Sequence, residues 1–448
     1  MKPSLESLTH SLLEAAERAG AGAADAIAVD GTSLAIDVRA GALEQAERAE
    51  GIEIGLRVML GHRQACVSAS DISSGTFALM AERAVAMARE APEDPGVGLA
   101  DPSQLAHAPD SAALDLADPA AEPAPDELER QAREAEAATM ACDGISQVES
   151  SGASYSRQRI HLATSGGFSA GYSRTGSGLF TVAIARSGTG MERDYFGESR
   201  VYRADLPTPE EIGRIAAERT LARRGARRPK TGAYPVLFDE RIAGSLIGHL
   251  LAAINGGAIV RGASWLRDAL GTRVLPAALS LTEEPLRPRT PASRAFDAEG
   301  LPTTRREIVR DGVLQGWVLD LSTGRKLGLD STANAVRGTS APPSPGVSNL
   351  SLTQGGQTRD ELLREMGTGL LVTSMIGSTI NPTTGDYSRG AAGFWVENGT
   401  IAWPVNECTI AGNLRDMLGT LVPANDARPH LSRVIPSLLV EGMTLAGE

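Results

Sequence analysis

The chain has 448 residues, a formal net charge of −12, 42% hydrophobic residues and 22% charged residues. That length exceeds what one hydrophobic core organises, and the balance is ordinary for a folded chain, so two or three domains are expected and a disordered or fibrous protein is excluded. The acidic charge argues against a nucleic-acid partner, which needs a basic face.

One local basic run, Arg223, Arg224, Arg227, Arg228 and Lys230, falls where a helix should end, and cations favour a helix C-terminus. Three scattered cysteines, Cys66, Cys142 and Cys408, make neither a disulfide framework nor a thiolate zinc site and fit a reducing cytoplasm. The opening Met1-Lys2-Pro3-Ser4 turns amphipathic at once, and no apolar run reaches spanning length, so a cytoplasmic chain with no membrane partner is expected.

Leu5, Leu8, Leu12, Leu13 and Ala16 share one helical face, which predicts a helix over residues 4–19 stopped at Gly20 and Gly22. β-Branched, partly alternating stretches follow from Ala24 to Ser70, punctuated at Gly31, Gly41, Gly51 and Gly61. A second helix is expected from Thr76 to Ala91. Seven prolines between residues 92 and 125 mark a loop or linker.

The same order then returns. A helix from Asp126 to Ala141 leads into strands near Val148, Ile160–Leu162 and Leu179–Ile184, with turns expected at Gly166-Gly167 and Gly176-Ser177-Gly178. Thr208-Pro209-Glu210-Glu211 opens the next helix with a Thr N-cap, a Pro at the first position and a Glu placed for a capping box. The fold class is α+β. Residues 1–225 form an N-terminal domain of two helix–strands–helix units, readable as a duplication although identity between the halves does not prove it.

From residue 230 to 448 the texture becomes β-rich with a few helices. A strand is expected over Tyr234–Phe238 and a helix over Glu240–Asn255 stopped by Gly256-Gly257. Asp311-Gly312 and Asn398-Gly399 sit between β-type runs and tolerate the positive φ of type I′ turns, so each predicts a hairpin.

Motifs for chemistry are sparse. The six histidines, His10, His62, His107, His161, His249 and His430, include no pair spaced for one helical face, and no HExxH, GxSxG, P-loop or Rossmann fingerprint occurs.

The run Asp239-Glu240-Arg241-Ile242-Ala243-Gly244-Ser245-Leu246-Ile247-Gly248-His249-Leu250 nevertheless resembles the segment in which TldD-type subunits carry HExxxH. Phe296–Thr303, Asp311–Leu314, Thr323–Gly328, Ser331–Arg337, Gly385–Gly390 and Thr409–Leu414 extend the match in order and spacing. On these stretches the chain is similar to the TldD/PmbA metalloprotease family, in its PmbA (TldE) subunit type. Laid over the motif, Gly244 stands at the first His, Ser245 at the Glu and His249 at the last His.

A hydrolytic zinc needs about three protein ligands and a carboxylate to take a proton from its water. Glycine offers no ligand, and serine is no general base without an activating partner. No catalytic, cofactor-binding or metal residue is therefore assigned in this chain. His249 shares a face with Ile242, Leu246 and Ala253 and reads as a core or interface residue, and Cys408 reads as a small buried strand residue.

The resemblance implies zinc in a TldD-like partner subunit, and a heterodimer enclosing a chamber that cleaves unfolded peptides such as modified-peptide precursors or an antitoxin. A homodimer is left open for the isolated chain. The alternatives are a stand-alone regulatory protein, linked to gyrase or to an antitoxin, and a hydrolase using Ser245 and His249 on one helix face. The segment from Asn381 to Trp395 is the expected strand edge or wall of a peptide cleft.

Overall fold

The computed structural model describes residues 3–188 and 190–448, so Met1 and Lys2, the start of the non-apolar N-terminus, lie outside the described residues. The N-terminal half runs α1 (Leu5–Arg18), β1 (Ala23–Arg39), β2 (Ala42–Leu60), β3 (Arg63–Ala69) and α2 (Ser74–Glu90). It repeats as α3 (Pro125–Met140), β4 (Gln147–Thr164), β5 (Ser169–Ser187), β6 (Gly190–Arg200) and α4 (Pro209–Ala222). Each unit is a three-strand meander, and antiparallel pairing of β1 with β4 fuses them into one sheet ordered β3-β2-β1-β4-β5-β6.

All four helices pack on one face of that sheet. α1 and α2 bury Leu8, Leu12 and Val85 against Ala26, Ala28 and Ile54, while α3 and α4 bury Leu128 and Ile212 against Leu34, Ile36 and Tyr155. The caps are local. Ser4 accepts from the Ser7 N–H, and Thr208 accepts from the Glu211 N–H at 3.3 Å with Pro209 following, though without the return bond that would complete a capping box.

Four glycines expected at breaks or turns lie inside strands. Gly31 and Gly51 lie within strands, paired directly with each other across β1 and β2, where the backbone stays extended. Gly176 and Gly178 lie inside β5 instead of a turn. An added Cβ at Gly178 would stand 3.0 Å from the Ser154 Oγ across the ladder, so close strand approach, not chain reversal, accounts for the residue. Residues 92–124 are no solvated linker, because Ala100, Leu105, Leu114 and Leu116 are buried and the segment covers part of the sheet's second face.

The C-terminal half begins with β7 (Gly232–Phe238), α5 (Glu240–Ala253) and α6 (Gly256–Val260). Gly256-Gly257 thus restarts a helix as well as ending one, because the Asn255 side chain caps it by accepting from the Gly257 N–H at 2.9 Å. Next come β8 (Leu281–Glu283), β9 (Arg306–Arg310), β10 (Val313–Leu314), α7 (Leu321–Leu327), β11 (Ala335–Val336), β12 (Ser344–Pro345), β13 (Leu350–Leu352) and α8 (Arg359–Met366). The chain ends with β14 (Gly369–Ile380), β15 (Asp386–Glu397), β16 (Thr400–Asn413), α9 (Leu414–Gly419), β17 (Val422–Pro423), β18 (Arg433–Val434) and β19 (Leu438–Ala446).

Both hairpins form where the Asp-Gly and Asn-Gly pairs place them, with φ of 48° and 79° at Asp311 and Gly312 and 50° and 76° at Asn398 and Gly399. The second large sheet is ordered β16-β15-β14-β7-β19-β17, and a further pairing of β16 with β19 closes its first five strands into a ring. α5 buries Leu246, Ile247 and Leu250 in its core beside Val236, Phe238, Leu370 and Val372.

The halves meet through charge. Asp25 on β1, only 1% exposed, takes Arg57 of β2 (Nε to Oδ2 2.7 Å) and Arg337 from the C-terminal half, whose side chain is fully buried. Burial would raise the Asp25 carboxyl, but the Arg337 and Arg57 guanidiniums outweigh it and hold it below the ordinary range.

Candidate functional site

α5 is positioned by its own first turn. Asp239 caps it, accepting from the Arg241 N–H at 3.2 Å, and the stripe Ala243, Leu246, Ile247 and Leu250 at helical spacing turns one face into the core. Gly244, Ser245 and His249 fall on the half-buried flank beside that stripe. A Cβ added at Gly244 would meet nothing within 4 Å, so packing does not require glycine there.

The Ser245 Oγ and the His249 Nε2 are both buried and both without a hydrogen-bond partner. They therefore do not bond one another, and the Ser–His hydrolase reading lacks its first requirement, a base on the nucleophile's proton. The His249 ring instead stands edge-on to Tyr387 of β15, with centroids 5.7 Å apart and planes at 75°. Burial, with Arg389 adding repulsion, lowers the His249 pKa, so the imidazole is neutral at physiological pH.

Tyr387 is pushed up to about 12 by burial and stays protonated, its hydroxyl 3.3 Å from the Met375 Sδ. Cys408 sits 4% exposed in β16, its thiol 3.2 Å from the Ala391 carbonyl and raised by burial to about 11, which is inert thiol chemistry.

A zinc does not fit this donor set. Of the three aligned positions only His249 has a ligating side chain, and among the described residues no three His, Cys, Asp or Glu groups gather to hold a metal ion. The segment from Asn381 to Trp395 is also not a strand edge. It forms the turn before β15 and most of β15 itself, which is paired with β14 on one side and β16 on the other, Gly390 lying between Ile376 and Thr409. As an interior strand β15 offers no free edge to an extended peptide.

Tyr387 and Arg389, the residues that do face His249, lie in the Gly385–Gly390 stretch, whose sequence signals a turn and strand but not that neighbour. The Asp25–Arg57–Arg337 junction carries no local signal at all.

A helix-backed meander sheet, joined by the buried Asp25–Arg337 ion pair to a C-terminal half that holds a closed β-ring with α5 packed in its core, defines an α+β chain with two six-stranded sheets. Residues 24–88, 118–224 and 231–447 match domain 1, the central domain and the C-terminal domain of the PmbA/TldA metallopeptidases. The chain is 38% identical to Metalloprotease PmbA of Escherichia coli O157:H7, covering 99% of this chain and 96% of that one. It is 36% identical to a PmbA homolog of Haemophilus influenzae, covering 97% and 94%.

A solved Bacteroides thetaiotaomicron chain, described as a candidate modulator of DNA gyrase, superposes with a TM-score of 0.89 at 28% identity over 99% of both chains. TldE from Thermococcus kodakarensis shares the fold, with a TM-score of 0.85 at 20% identity over 98% and 99%. The chain belongs to the PmbA/TldD metallopeptidase family, on its PmbA/TldE side. Among its described residues no helix is long and apolar enough to cross a membrane.

Proposed function

We propose that this chain is the non-catalytic subunit of a two-subunit metallopeptidase, cytoplasmic, working beside a TldD-like partner that carries the zinc and the general base for cleavage of unfolded peptides. The observation that carries this reading is the intact family fold around α5 with Gly244 and Ser245 where a ligand and a base would stand. The neutral, unpartnered His249 imidazole beside Tyr387 supplies one donor at most.

Metal analysis and a peptidase assay on the purified chain test it. The expected result is no stoichiometric zinc and no turnover alone, with both appearing once a TldD-like subunit is added. Stoichiometric zinc held through His249, together with turnover by the isolated chain, would overturn it. The gyrase-modulator description of the Bacteroides relative favours a second reading, a stand-alone regulator. A TldD-like gene in the same genome separates the two, its presence favouring the peptidase and its absence the regulator.

A further inference from the structure

The second face of the N-terminal sheet, opposite its four helices, is not fully covered. In its centre Ile27 and Val29 of β1 stand across from Leu162 and Ile160 of β4, and Ile160 and Gln158 stand across from Tyr172 and Arg174 of β5. Above this row the segments around Arg294, Phe296 and Val336 form an opposing wall and leave a cavity of about 400 Å³. That is within the size range of small-ligand sites, about 300–1,000 Å³.

The walls are apolar, but three guanidiniums line the same cavity. Arg294 donates to the carbonyls of Ala335 (3.1 Å) and Gly346 (2.7 Å), and Arg174 donates to that of Pro291 (3.1 Å). Neither pairs with a carboxylate among the described residues. Arg337 is held by Asp25, yet its second terminal nitrogen has no partner, and the Nε of Arg174 and of Arg294 are likewise buried and unpartnered.

The carboxylate nearest to hand does not answer them. Asp297 also lines the cavity, but its oxygens are taken by the backbone N–H groups of Glu299 (2.9 Å), Leu301 (3.0 Å) and Ala335 (3.0 Å). Burial, with repulsion from Arg174, lowers the Arg294 pKa against the pull of Asp297. Buried donors without partners are costly, and like charges sharing one cavity add to the cost. An anion entering the cavity would offset the shared charge, and guanidinium forks that turn toward it match a planar carboxylate bidentately.

We propose that this cavity binds the carboxylate of a ligand with an apolar body, the chemistry shared by the C-terminal end of an apolar peptide and by a free medium-chain carboxylic acid. The head sits among Arg174, Arg294 and Arg337, and the body lies along Ile27, Ile160 and Phe296. The site is far in sequence from α5 and needs neither zinc nor turnover, so its fate is separate from that of the peptidase reading.

Calorimetric titration of the full chain alone tests it, with four probes: N-acetyl-leucyl-phenylalanine, the same compound as its C-terminal amide, decanoate and phenyl phosphate. At least one acid should bind, the amide about tenfold or more weaker than the peptide acid if the peptide is the source, because the charge-assisted pairs are lost. Binding of the peptide acid alone identifies a peptide terminus, and binding of decanoate alone identifies a free acid.

Arg174→Gln, at the half-buried side of the cavity, should weaken the binding acid about tenfold while leaving the melting temperature unchanged. Arg174→Lys, which keeps charge but loses the fork, should fall between. Failure of both acids to bind, equal binding of peptide acid and amide, wild-type affinity in Arg174→Gln, or tighter binding of phenyl phosphate than of either acid would each overturn the assignment.

Discussion

Two polar places in this molecule contrast. On α5, Ser245 and His249 keep buried polar atoms that bond to nothing, beside an apolar stripe packed in the core. At the junction of the halves, Arg57 and Arg337 are equally buried, but each pairs with the Asp25 carboxylate. The comparison separates residues that an architecture depends on from residues it merely tolerates. A buried charge whose partner is removed is left uncompensated, whereas a buried hydroxyl already without a partner has nothing left to lose.

The largest expected effect lies at the junction. Asp25→Ala should destabilise the chain by about 3–5 kcal/mol in denaturant unfolding, because two buried guanidiniums lose their counter-charge. Acid should do the same more gradually. The Asp25 carboxyl is lowered in the folded chain, so its contribution is fully present above the unfolded value of about 3.9 and is lost as pH falls through the folded value below that.

Glu299, close by, carries the opposite sign. Burial and the neighbouring Asp297 raise it to about 8, so the folded state binds the extra proton and stability falls as pH rises from about 4.3 to about 8. Melting temperatures of Glu299→Gln across that window should drift less than those of the parent, and an identical drift would remove Glu299 as the cause.

Next in size is the core of α5. Leu250 is fully buried, so Leu250→Ala should cost about 2–5 kcal/mol by the same unfolding measurement. Thr208→Ala, removing the cap of α4, should cost about 1 kcal/mol. The smallest effect is the most diagnostic. Ser245→Ala should be neutral or stabilising by up to about 1 kcal/mol, since it deletes a buried hydroxyl that has no partner. A loss of more than about 1 kcal/mol there would show that Ser245 is engaged after all and would erase the contrast with Asp25.

The features legible in the sequence are those set by short-range chemistry. Asp311-Gly312 and Asn398-Gly399 announced their hairpins because few residue pairs accept two successive positive φ angles. Thr208 and the apolar faces of α1 and α5 announced their helices for equally local reasons. Gly176 and Gly178 misled because close strand approach and chain reversal favour the same residue.

The loop over residues 92–124 misled because proline-rich composition reports irregular backbone, not what Leu105 and Leu114 pack against. At α5 the sequence itself puts Gly244 and Ser245 where the resemblance would place a ligand and a base. The pairing of β15 on both sides comes from two successive antiparallel neighbours, of which the Asn398-Gly399 hairpin is legible in the sequence, whereas the meeting of β19 with both β7 and β16 is not.

That last pairing also sets a timetable. Phe238 finds its antiparallel neighbour in Leu438, and Ile410 finds Leu445, so the ring cannot shut until the strand at residues 438–446 has left the ribosome. Contacts so distant along the chain are slow to form. Until then β7 and β16 each present a row of unbonded amides, a template for pairing with other nascent chains. The N-terminal sheet, by contrast, is complete once β6 has emerged. Synthesis therefore delivers the N-terminal sheet's strand pairing first, while its second face and Asp25 still wait for Phe296, Leu301 and Arg337 of the C-terminal half.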